Sequence, residues 1–105
     1  MTNTTMMILS ALAMLEGNPS GALMDHGTTG GRYGISKAVV TDYNRAEMTH
    51  YRLSDIVSNR EIDDQVARWH VQRLRYRSWR ELGLRWNKSA DYAERFANLM
   101  EEKKR

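Results

Sequence analysis

Apolar residues crowd the start of the chain and then settle into helical rhythms. Met6, Met7, Ile8, Leu9, Ala11, Leu12, Met14 and Leu15 leave little polar face, so this stretch predicts a mostly buried helix. Thr2, Asn3, Thr4 and Thr5 all offer N-caps for it. Glu16 and Gly17 close it, and Pro19 forbids continuation. From 17 to 36 the rhythm stops. Six of the seven glycines (17, 21, 27, 30, 31, 34) and the single proline fall there. This predicts a long loop, with a short irregular hairpin around Arg32 to Ile35.

Helical spacing then returns. Ser36 can cap a helix running to about Met48, with Val39, Val40, Tyr43 and Ala46 facing inward. Residues 49–57 are ambiguous, with Tyr51, Leu53 and Ile56 expected to tuck in. Ser58-Asn59-Arg60-Glu61 has the spacing of a capping box and opens a helix carrying Ile62, Val66, Trp69 and Leu74 on one side. Ser78-Trp79-Arg80-Glu81 repeats that signal and starts a short helix ending near Trp86. Ser89 caps a last helix whose inner stripe is Tyr92, Phe96, Leu99 and Met100. Lys103, Lys104 and Arg105 complement its carboxyl-terminal dipole. The pattern predicts a mainly α chain of about five helices, with a glycine-rich loop or short hairpin after the first.

Size and composition narrow the possibilities. At 105 residues and 12.2 kDa the chain is expected to form one domain, 1–105. The longest apolar run, Met6 to Leu9, is far short of the roughly 20 residues of a membrane span. No membrane insertion is expected. The absence of cysteine excludes disulfides, thiolate metal sites and cysteine nucleophiles. The net charge of +3 is uneven: residues 1–52 hold four basic and four acidic groups, and residues 53–105 hold twelve and nine. Between Arg68 and Arg85 lie six arginines and one acid, Glu81. This segment, 68–85, is either a solvated helix face or a surface that attracts a polyanion such as nucleic acid or an anionic wall polymer. Residues 1–9 contain no Lys or Arg, so they do not read as a signal peptide, and synthesis in the cytoplasm is expected.

Candidate chemistry centres on Glu16. A carboxylate at the end of a helix sits in the negative field of the macrodipole, a penalty of roughly 0.3–1 kcal/mol. Burial against Leu12 and Met14 would add to that and raise its pKa, which suits a general acid. The alternative is an exposed glutamate where the helix frays. Gly27-Thr28-Thr29-Gly30-Gly31-Arg32-Tyr33-Gly34 fits neither the dinucleotide fingerprint nor the Walker A pattern. Its glycines could let a polymer lie close to the backbone. His26, His50 and His70 have no metal-ligand spacing, so no metal and no cofactor are expected. Trp69, Trp79 and Trp86 read as core or groove-wall residues.

Taken in order, these pieces resemble the lysozyme-like superfamily, in its lytic transglycosylase and goose-type lysozyme branch. The resemblance rests on the apolar helix ending in Glu16, on Gly17-Asn18-Pro19-Ser20-Gly21-Ala22 and on Gly31-Arg32-Tyr33-Gly34-Ile35. It continues with Asp42-Tyr43-Asn44-Arg45 and Arg85-Trp86-Asn87. It implies a small lysozyme-like helical domain acting on peptidoglycan. Glu16 would be the general acid and base at the bond between N-acetylmuramic acid and N-acetylglucosamine. Asp25, Tyr33, Gly34, Ile35, Trp86, Asn87 and Tyr92 would be the substrate-binding residues. The arginine-rich segment would favour an anionic wall polymer. With no leader, such an enzyme would be encoded by a bacteriophage and released to the cell wall. The chain departs from the family where Gly17 replaces a serine, Gly34 replaces a glutamine, and no glycine-rich tail follows Asn87.

Two other readings stand beside this one. Residues 78–100, a helix, a break near Asn87 and a second capped helix, can be read as a helix-turn-helix that binds nucleic acid. Asp91 and Glu94 near the start of the presumed recognition helix argue against a phosphate-lined groove. The third reading is a lysozyme-like scaffold without catalytic activity.

Overall fold

The computed structural model describes residues 2–104. It is mainly α: α1 (Asn3–Glu16), a hairpin of β1 (Thr29–Gly30) and β2 (Ile35–Ser36), then α2 (Lys37–Glu47), α3 (Leu53–Ser58), α4 (Arg60–Arg73), α5 (Trp79–Asn87) and α6 (Ala90–Lys103). The expected role of Arg105 at the last helix end lies outside the described residues. None of the described helices is long and apolar enough to cross a membrane.

The helix starts follow local chemistry. Thr2, Ser36, Ser78 and Ser89 each accept a hydrogen bond from a backbone N–H three residues on, which satisfies a donor the first turn leaves open. At α4 the cap is Asn59, not Ser58. Its side-chain oxygen accepts from the N–H groups of Glu61 and Ile62 at 2.9 and 3.3 Å, while Ser58 completes α3. The ambiguous stretch 49–57 thus contains a helix of its own. Asn44 organises the approach to it, its amide bonding Thr49, the Tyr51 N–H and the Tyr51 carbonyl.

Helix α1 is less enclosed than its composition predicts. Ile8, Leu9, Ala11 and Leu12 enter the core, but Met6 and Met14 are 54% and 62% exposed on the opposite face. Ala46 on α2 is likewise exposed rather than inward. The core is one continuous cluster in which Ile8, Leu12, Ile35, Ile56, Val66, Leu82, Phe96 and Met100 are almost fully buried. A side chain such as Phe96 contributes about 1.5–3 kcal/mol by leaving water. Gly83 lets α5 and α6 meet: a Cβ there would fall 2.8 Å from the Ala93 Cα.

The glycine-rich segment is tied down. The strands pair antiparallel, Thr29 opposite Ser36 and Gly30 opposite Ile35. The residues expected to form the hairpin, Arg32 to Ile35, supply mostly its tip and returning strand. Gly31 and Gly34 bracket the turn with φ of 81° and 69°, a left-handed conformation that side chains disfavour. The Gly31 N–H donates to the Gly21 carbonyl at 2.9 Å, and Asn18 Nδ2 donates to the carbonyls of Ala22 and Gly31.

A buried acid pins the hairpin to α4. Asp63 is 2% exposed and its Oδ2 accepts the Arg32 N–H at 2.9 Å. Burial pushes its carboxyl up to about 6. Next to it, Asp64 accepts from the Tyr33 hydroxyl at 2.7 Å and from the Arg32 guanidinium.

Candidate active site

Glu16 is the last residue of α1. Gly17 ends the helix in the left-handed conformation at φ 61°, its N–H returning to the Ala13 carbonyl. That termination leaves the Glu16 side chain half-buried and aimed at the hairpin. Its carboxylate lies directly over Gly34, where any Cβ would overlap Oε1. The space a side chain at 34 would need is therefore filled by the acid itself. Burial raises the Glu16 pKa above the usual carboxylate value; the Tyr92 hydroxyl works against this and the negative charge of Asp25 adds to it. The Tyr92 hydroxyl is buried without a hydrogen bond of ordinary length, so it acts on Glu16 by proximity rather than as a tight clamp.

A cleft of about 170 Å³ opens above this carboxylate. Glu16, Asp25, Gly34, Ile35, Trp86 and Asn87 line it, joined by Thr29, Ser36, Val39 and His70. Elements distant in sequence thus meet here: the end of α1, both strands, α2, α4 and the end of α5. Such a volume is small beside the roughly 300–1,000 Å³ typical of whole-ligand sites. It suits one ring or the substituents of a polymer crossing its mouth. Trp86 is fixed by its indole N–H, which donates to the Tyr33 carbonyl at 3.0 Å. Asp25 adopts a positive φ of 54° and its Oδ2 accepts from the Thr29 hydroxyl at 2.9 Å, which steadies an otherwise exposed turn.

Six of the eight residues expected at the site share this cleft. Tyr33 does not. Its ring is drawn away by Asp64 and Arg32 and lines a second, larger groove of about 550 Å³ beside Met6, Leu9, Ala13 and Met14. Only its main-chain carbonyl serves the cleft, through Trp86. Tyr92 does not line the cleft either: it is 8% exposed and buried behind Glu16. The larger groove holds a single carboxylate, Asp64, already engaged by two donors, whereas Glu16 and Asp25 both line the smaller cleft.

His70 is the cleft residue with the least sequence signal. Its spacing to other histidines is uninformative, and only the fold carries it to Trp86, with ring centroids 4.9 Å apart. Its Nδ1 accepts from Arg73 Nε at 2.9 Å, and the Arg73 guanidinium also donates to Asp42 at 3.1 Å. Burial, helped by the Arg73 charge, lowers the imidazole to about 4, so it is neutral near pH 7.

The arginine-rich segment is partly neutralised. Arg73, Arg80 and Arg85 pair with Asp42, Glu94 and Glu81, leaving Arg68, Arg75 and Arg77 without an ion pair among the described residues. On α6, Asp91 and Glu94 are both on the solvent side, while Tyr92, Ala93, Phe96 and Met100 are turned into the core. Among the described residues no three His, Asp or Glu side chains converge as metal ligands. Comparison of the chain with protein-family models, with curated proteins and with solved structures gives no match.

Proposed function

We propose that this protein cleaves peptidoglycan glycan strands, with Glu16 as the general acid and base. The supporting observation is a desolvated carboxyl group at a helix end, seated in the gap left by Gly34. It opens into a cleft walled by an indole and an amide. A carboxyl with a raised pKa holds its proton long enough to deliver it to a leaving oxygen.

In the lytic transglycosylase form of the reaction, Glu16 protonates the glycosidic oxygen as the C1–O4 bond breaks. The resulting carboxylate then takes the proton of the muramyl 6-hydroxyl while O6 bonds to C1, and no water is consumed. Asp25 supports a second form. It is the other carboxylate lining the cleft, and a hydrolase needs a second acid about 5–9.5 Å from the first. Mass spectrometry of the products separates the two: an anhydromuramyl end is one water lighter than the hydrolytic end.

The purified protein should clear suspended peptidoglycan, and Glu16→Gln should abolish clearing while leaving circular dichroism and melting unchanged. A folded wild type that leaves cell walls intact overturns the proposal. The helix-turn-helix reading draws no support from α6, whose apolar face is committed to the core and whose outer first turn is acidic. The anionic wall polymer remains a proposed partner through Arg68, Arg75 and Arg77.

A further inference from the structure

The glycan reading leaves unused the chain of contacts that ends at His70. Asp42 on α2 accepts from the Arg73 guanidinium at 3.1 Å. The same guanidinium is stacked over the Trp69 ring, 4.3 Å from its centroid. Arg73 therefore has little freedom, and its Nε–H is directed at His70 Nδ1 at 2.9 Å. An imidazole nitrogen that accepts a hydrogen bond carries no proton, so the ring proton of a neutral His70 resides on Nε2. Among the described residues Nε2 has no hydrogen-bond acceptor, and it is not among the sealed polar atoms. The ring lines the cleft and lies against Trp86. The result is one neutral N–H donor of fixed tautomer beside an indole face.

We propose that His70 is a specificity-determining residue of the Glu16 cleft, its Nε2–H binding the carbonyl oxygen of an N-acetyl group on a sugar ring seated by Trp86. This rests on the glycan reading above and deepens it. A carbonyl oxygen fits a single neutral donor, and an acetyl methyl fits the adjoining indole. A deacetylated sugar offers an ammonium instead, which has no lone pair to accept from Nε2–H. Asp42 and Arg73 are positioning residues: they fix the tautomer and hold the ring.

The test uses the full chain and two probes, tri-N-acetylchitotriose and the same trimer fully deacetylated. Binding is read by tryptophan fluorescence, with Glu16→Gln in the background to prevent turnover. The acetylated trimer should bind more tightly than the deacetylated one. His70→Phe should weaken the acetylated trimer by roughly three- to tenfold, the worth of one neutral hydrogen bond, and leave the deacetylated trimer unchanged. His70→Gln, which keeps a donor near the Nε2 position, should recover much of the loss. Nitrogen NMR of the unmutated imidazole gives a measurement that needs no variant: it should report the Nε2–H tautomer, and an added acetylated trimer should shift that proton.

An Nδ1–H tautomer, or a folded His70→Phe protein that keeps wild-type affinity and selectivity, overturns the His70 assignment alone while peptidoglycan clearing continues. A folded wild type that binds neither trimer and clears no wall overturns the glycan reading, and His70 with it.

Discussion

Two acids in this chain have closely matching surroundings and different exits. Glu16 presses on Gly34, and Asp63 presses on Gly31, so a Cβ at either glycine would overlap a carboxylate oxygen. Burial raises both pKa values. Yet Asp63 is sealed at 2% exposure and holds the Arg32 N–H, whereas Glu16 opens into a cleft. A perturbed acid is thus no sufficient sign of a reactive site: the same hairpin seals one acid as an anchor and leaves the other open to a cleft. Access to solvent, set by what covers each carboxylate, separates the two.

Substitution of the acids should produce the largest contrast. Glu16→Gln is expected to reduce wall clearing by at least about 100-fold, the scale of a lost general acid, with no fall in melting temperature. Asp63→Ala should do the reverse, costing about 1–3 kcal/mol by leaving the Arg32 N–H buried and unpaired, as a denaturant titration would measure. Loss of clearing from Asp63→Ala in excess of the unfolded fraction would erase the distinction.

The paired glycines come next. Gly31→Ala meets Asp63 and the Ile56 side chain in a left-handed turn, so a loss of about 2 kcal/mol or more is expected. Gly34→Ala meets only the end of the Glu16 side chain, which can swing aside. It should cost about 1 kcal/mol of stability but remove most of the activity, because the acid leaves its seat. Calorimetry and clearing assays on both variants read the two effects separately.

A smaller effect concerns pH. Asp63, raised to about 6, keeps a proton in the folded chain that the unfolded chain has released, so folding weakens as pH rises from about 4 to 6. His70, lowered to about 4, stays neutral where the unfolded imidazole is charged, so folding strengthens as pH rises from about 4 to 6.5. The two slopes oppose each other, each amounting to at most about 3 kcal/mol. Asp63→Asn should therefore make stability climb with pH across this window, and His70→Gln should make it decline. Parallel pH profiles of melting for wild type and both variants would refute the assigned burial.

The smallest change is expected from Asp25→Asn. Removing its negative charge lowers the Glu16 pKa, so the alkaline limb of the rate profile, which requires the protonated acid, shifts to lower pH. Collapse of activity instead would identify Asp25 as the second acid of a hydrolase.

Much of the fold is legible in local sequence. A serine three residues before a waiting N–H makes a cap whatever lies elsewhere, which is why Ser36, Ser78 and Ser89 mark their helices correctly. At 58–61 the rule is ambiguous, since Ser58 and Asn59 both qualify, and the tertiary packing of α3 against α4 selects Asn59. Gly17 after Glu16 likewise fixes where α1 stops and leaves the acid at its end.

What the sequence could not decide is which side chains face each other across long stretches of chain. Tyr33 is attracted to Asp64, 31 residues away, and so leaves the cleft its neighbour Gly34 helps to form. His70 enters that cleft because α4 packs against α1 and α2 and so brings the imidazole to Trp86, and Asp63 becomes a buried anchor because the hairpin folds onto it. Capping and helix termination depend on atoms a few residues apart, so one sequence window specifies them. Burial, pKa and the cleft itself depend on surfaces that meet only after the helices have packed.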